Sequence, residues 1–178
     1  MDRIAYGLPV LIGDSIRYSY KPSLTTYRGQ LLSGDAWRGT PVHAASFIRE
    51  RRIVLDRELL RFPSLFRLIL VHELFHFVWA RLGNKLRREY AELLILERTQ
   101  GVRGELGESA DAWKVSLREH DCSEQTSRWR EYVCESFCDT AAWLYAGVRS
   151  HGSFTLAARW RDRRERWLRE AFACPRTY

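Results

Sequence analysis

Lysine is scarce in this chain. Of its 29 basic residues only Lys21, Lys85 and Lys114 are lysines, and the rest are arginine. Against 22 acidic residues this leaves a net charge of +7. Clustered arginine can neutralise phosphates, so the balance raises nucleic acid as a partner, although an arginine-favouring composition produces the same count. Cysteine occurs four times (Cys122, Cys134, Cys138, Cys174), too few and too irregularly spaced for a secreted disulfide framework. Cys134 and Cys138 stand one helical turn apart. They read as small buried hydrophobes in preference to half of a structural zinc site. Proline (five) and glycine (11) are too sparse for a collagenous or low-complexity chain. No apolar run approaches the roughly 18 residues of a membrane span. The longest, around Leu68 to Ala80, is broken by His72, Glu73 and His76. The first residues show no basic-then-apolar signal layout, so a soluble cytoplasmic protein with no membrane partner is expected.

What remains is enough for one ordinary domain. The 178 residues are 46% hydrophobic and 29% charged, which fits a single globular unit over 1–178. Residues 1–56 are punctuated by Gly7, Gly13, Pro22, Gly29, Gly34, Gly39 and Pro41 and read as strands and turns. Ile16–Tyr20 alternates, a second strand is expected within Thr25–Leu32, and an extended pair within Val42–Asp56 buries Ile53-Val54-Leu55 most deeply. After Pro63 the pattern becomes helical. Ser64 is the expected N-cap of a helix stopped by Gly83, and a second helix should cover Lys85–Arg98. Thr99–Ser123 reads as loop with a short helix near Trp113. Asp121 and Glu124 form a candidate capping box for a helix reaching Gly147. An amphipathic helix over Phe154–Phe172 closes the chain. Strands first and helices later, without βαβ alternation, give an α+β class with an antiparallel or mixed N-terminal sheet.

The helix from Leu65 to Leu82 is apolar on nearly every side, so it should be the central buried element. Three polar residues on one turn of such a helix need an organised partner, because burying an isolated charge costs several kcal/mol. A divalent ion is such a partner. His72 and His76 are i and i+4, so both rings project from one face. Glu73 beside them can reach a water on the ion without ligating it. This is the His-Glu-x-x-His arrangement of zinc hydrolases, in which zinc acidifies water and the glutamate takes its proton. The competing reading has two hydrogen-bonded core histidines and a glutamate neutralised by arginine. Trp79 and Leu82 stand where the metzincin continuation needs Gly and His, which excludes that subclass.

A catalytic site needs a third protein ligand. Glu131, Glu135 and Asp139 recur at i, i+4 and i+8 amid Tyr132, Val133, Phe137 and Ala141. Here the sequence resembles the gluzincins, the metallopeptidase clan of thermolysin, whose second helix carries Glu-x-x-x-Asp. Glu135-Ser136-Phe137-Cys138-Asp139 matches that pattern. The resemblance implies a small zincin-like fold, Zn2+ bound by His72, His76 and Glu135, and Glu73 as general base. It also implies Asp139 as the acceptor that fixes the His72 tautomer, and a peptide or protein as substrate. Glu131 as ligand supported by Glu135 fits the spacing almost as well, and His120 or His151 could instead serve as a distant third ligand. The chain looks most like the compact gluzincins, including small bacterial ones that cleave repressors. It differs in having Ser136-Phe137 where those carry Ala-Asn, and 58 residues between His76 and Glu135. Ile53–Asp56 is placed like the edge strand that aligns extended substrates in this clan. Tyr132, Tyr145, His120 and His151 are all candidates for stabilising an oxyanion.

The closing run Arg159 to Trp167 mixes arginine with tryptophan, which can bind single-stranded nucleic acid. Asp162 and Glu165 interrupt it, and Trp160 and Trp167 fall at i and i+7. A solvated arginine face backed by a core stripe is the simpler expectation. Besides a peptidase, two readings stay open: a zinc-stabilised binding module with an arginine surface, and a latent enzyme whose cleft is covered by its tail, Cys174 to Tyr178, or by a partner.

Overall fold

The structure, a computed structural model, describes residues 8–9, 13–34 and 39–173. Gly7, Cys174 and the tail considered as a cleft cover lie outside these residues. The chain is α+β, with strands in its N-terminal third and helices after them. No helix among the described residues is long and apolar enough to cross a membrane.

Among the described residues, six strands form two sheets: β1 (Arg17–Lys21), β2 (Thr25–Tyr27), β3 (Gln30–Leu32), β4 (Thr40–Pro41), β5 (Ala44–Phe47) and β6 (Arg52–Asp56). In the mixed sheet β6 is central, parallel to β1 (Tyr18 opposite Ile53) and antiparallel to β5 (Ser46 opposite Ile53). The expected edge position of Ile53–Asp56 is therefore corrected. Ile53, Val54 and Leu55 are each no more than 1% exposed, and a strand apolar on both faces belongs inside a sheet. The edge falls to half-buried β5, which packs beside the first helix. In the second sheet β2 pairs with both β3 and β4. The expected strand within Thr25–Leu32 is thus a hairpin. Arg28 (φ 48°) and Gly29 (φ 75°) adopt the two positive φ angles that a tight two-residue turn needs. Asp56 joins the sheets: its carboxylate accepts from Leu24 N and Glu58 N, both at 2.8 Å.

Five helices follow among the described residues: α1 (Pro63–Arg81), α2 (Asn84–Thr99), α3 (Glu108–Ser116), α4 (Ser127–Tyr145) and α5 (Ala158–Phe172). Ser64 does not cap α1. Pro63 occupies the first turn, where its fixed φ and missing N–H cost nothing, and this puts Ser64 inside the helix. Gly83 is not a left-handed stop either; it is extended and forms the N-cap of α2. Asp121 belongs to a 3-10 turn, and its carboxylate accepts from Arg118 N (2.7 Å) and Thr126 Oγ1 (2.6 Å). Thr126 is the true N-cap of α4. The core lies between α1 and α4, where the Phe75 ring sits 5.8 Å from Phe137 and 5.6 Å from Tyr145.

The last helix departs most from expectation. Its buried stripe is Trp160, Arg164 and Leu168, so the arginine run is not wholly solvated. Arg164 is fully buried. Its guanidinium donates to both oxygens of Glu97 (2.9 and 2.6 Å), to Glu105 (2.6 Å) and to Ser136 Oγ (3.0 Å). Lys114 and the Tyr132 hydroxyl complete the Glu105 side at 2.9 and 2.6 Å. Burial opposes ionisation of Glu105, but Arg164 and Lys114 outweigh it and hold its pKa below the ordinary glutamate value. These bonds tie α5 to α2, to α4 and to the segment before α3.

Candidate metal centre

Helix α1 presents His72, Glu73 and His76 on one turn, and α4 packs across it with Glu135 and Asp139. His72 Nδ1 lies 2.7 Å from Asp139 Oδ1, so its N–H donates to that carboxylate and Nε2 is left to face the cleft. His72 Nε2 is 3.1 Å from His76 Nε2 and 3.1 Å from Glu135 Oε2, and His76 Nε2 is 3.7 Å from Glu135 Oε1. An ion with tetrahedral bonds of about 2.0–2.1 Å separates its ligand atoms by about 3.3–3.4 Å. The three observed separations, with one Glu135 oxygen towards each histidine, bracket that spacing. Two imidazole nitrogens facing each other also need a proton or a cation between them, since each otherwise presents a lone pair.

Helix α3 holds the two carboxylates from the far side. Ala110 N donates to Asp139 Oδ2 at 2.9 Å, and Ser109 hydrogen-bonds Glu135. The first bond satisfies a backbone N–H that the α3 cap, Gly107, has no side chain to reach. Gly107 is required there: a Cβ at this position would overlap the Asp139 carboxylate. Part of the long interval between His76 and Glu135 is thus the support of the site. On the sheet side, Ser46 Oγ of β5 donates to Glu73 Oε2 at 2.6 Å and lies 3.1 Å from the Glu73 carbonyl.

His72, Glu73 and Asp139 are all less than 9% exposed. Burial disfavours the charged His72 ring, yet Asp139 and then Glu135 outweigh it and raise its pKa well above the ordinary histidine value. Burial likewise pushes Glu135 up, while His72 and His76 bring it below the usual glutamate value. Beside them opens a cleft of about 390 Å³, lined by Ser46, Ile48, Trp79 and Ser109 together with Glu73, His76 and Glu135.

Glu131, the alternative ligand, is exposed and stands away from this cluster. His120 is exposed in the 3-10 turn Glu119–Asp121. His151 bonds Ser153 Oγ at 2.7 Å and lines, with His43, His72 and Asp139, a separate cavity of about 100 Å³. Tyr132 is committed to Glu105 and Tyr145 to the core, so neither hydroxyl faces the cleft ion site. Sequence reasoning missed Ser46, Gly107 and Ser109, which join the site only through tertiary packing. It also missed that Cys134 and Cys138 meet His76. Their i, i+4 spacing flanking Glu135 was the available signal.

No protein-family model matches the chain, and no curated protein or solved structure matches it.

Proposed function

We propose that the chain is a zinc-dependent peptidase, with His72, His76 and Glu135 as the ion's ligands and Glu73 as general base. The observation that carries this reading is the convergence of three ligand atoms from two helices, with Asp139 on the outer nitrogen of His72. A divalent ion held there supplies a Lewis acid, which brings the pKa of water towards about 7 and polarises a carbonyl. Every other part of the work falls to the chain. Asp139 keeps His72 in the tautomer whose Nε2 is a donor to metal. Ser46 fixes one oxygen of Glu73, which turns the other towards the cleft to accept the proton of the attacking water and pass it to the leaving amine. Strand β5 borders the cleft as a sheet edge, and an extended peptide can add to such an edge by main-chain hydrogen bonds. A reducing cytoplasm is the proposed compartment, where Cys122, Cys134 and Cys138 persist as the free thiols they are.

Glu73→Gln tests the reading. The variant should bind zinc as the wild type does, by elemental analysis, and lose hydrolysis of a broad peptide library by at least about 100-fold. Equal cleavage by both proteins, or no zinc in either, overturns it. Zinc without hydrolysis in the wild type points instead to a metal-stabilised binding module.

A further inference from the structure

The His76 ring has two nitrogens, and the cleft site uses only one. Its Nδ1 points the other way, into a pocket formed by Cys134 and Cys138 on successive turns of α4. Cys138 Sγ lies 3.5 Å from Nδ1 and Cys134 Sγ 3.6 Å. The three ligand atoms all fall within 4.8 Å of one another. For a tetrahedral ion with metal–sulfur bonds of about 2.3 Å and a metal–nitrogen bond of about 2.0 Å, the N···S separation is about 3.5 Å. Both thiols therefore already stand at a coordination edge from the ring. A hydrophobic role for the two cysteines explains their burial, but not the aim of both sulfurs at one imidazole nitrogen.

We propose that His76 Nδ1, Cys134 Sγ and Cys138 Sγ form a second cation site, for a thiophilic metal, back to back with the first across the His76 ring. Two sulfurs and one nitrogen select soft or borderline ions such as Zn2+, Cd2+ or Cu+ over Mg2+ and Ca2+. Cys134 also lines the cleft beside Glu135, which gives an ion its way in. Loading the site releases the two thiol protons. With both sites filled the ring bridges them as imidazolate, its remaining proton also lost to solvent. The donors are distinct from those of the peptidase reading except for His76, so the second site stands whether or not Glu135 ligates an ion.

Cd2+ added to the protein as purified is the test. The wild type should develop the ultraviolet sulfur-to-cadmium charge-transfer band, saturating with one thiolate-bound equivalent. The band should persist in Glu135→Gln and in Cys122→Ser and vanish in the double variant Cys134→Ser/Cys138→Ser. Because that double variant can lose the band by unfolding, 113Cd NMR of the wild type gives a reading free of any substitution. A resonance in the range of mixed sulfur and nitrogen ligation supports the site, and one in the nitrogen–oxygen range alone overturns it. No band in the wild type, or a band that survives the double substitution, also overturns it. Loss of the band in Glu135→Gln would show one shared ion in place of two sites, which is equally fatal.

Discussion

Helix α4 separates two buried polar clusters that look alike in composition and differ in how their charges close. On one side Arg164 and Lys114 face Glu97 and Glu105, with Ser136 and Tyr132 taking up the remaining bonds. Two cations meet two anions, and the cluster is complete in itself. On the other side Glu135 and Asp139 face His72 and His76 while Glu73 accepts from Ser46, so three carboxylates stand around two imidazoles. The difference separates a structural network from a candidate metal site. A buried ion pair with all its bonds made asks for nothing further, whereas three carboxylates around two imidazoles favour a divalent cation.

Breaking the closed cluster should have the largest effect on stability. Arg164→Met takes the guanidinium away from buried Glu97, leaves Glu105 to Lys114 and Tyr132, and should cost about 3–5 kcal/mol in denaturant unfolding. A loss under 1 kcal/mol would mean that the network is not the anchor of α5. The open cluster should respond in metal affinity instead. Asp139→Ala frees the His72 ring, and Gly107→Ala displaces the same carboxylate by filling its space. Each should weaken zinc about 10–100-fold in competition with a chelator. Unchanged affinity in both would remove Asp139 from the site.

Acid gives a smaller and graded distinction. The Glu105 pKa is lowered in the folded chain, so its contribution is complete above the ordinary value of 4.5 and is lost as pH falls through the lower folded value. The difference in melting temperature between wild type and Glu105→Gln should therefore be greatest near neutral pH and shrink below about pH 4. A difference constant with pH would show that Gln fails by shape and not by charge.

The two clusters also differ in how far they could be read in advance. His72, Glu73 and His76 were legible because one helical turn places them together whatever surrounds the helix. Glu135 and Asp139 share that local logic, but so does Glu131, and periodicity could not choose among the three. Arg164 was misread as surface for the opposite reason. Its sequence neighbours are charged, while its partners Glu97 and Glu105 lie 67 and 59 residues away. The helix-start errors at Ser64 and Asp121 have the same origin: a side chain able to cap was present, and another residue held the position.

The sequence by itself determined the class of fold, the central apolar helix and the pair of i, i+4 patterns that carry the candidate ligands, since each follows from short-range periodicity. Tertiary structure alone decided which carboxylate faces His72, that Ser46 and Gly107 serve the site, that β5 is the open edge, and that a lone arginine in a charged run is core. Those outcomes depend on contacts between segments distant along the chain, where burial and charge balance select one partner from several that spacing allows.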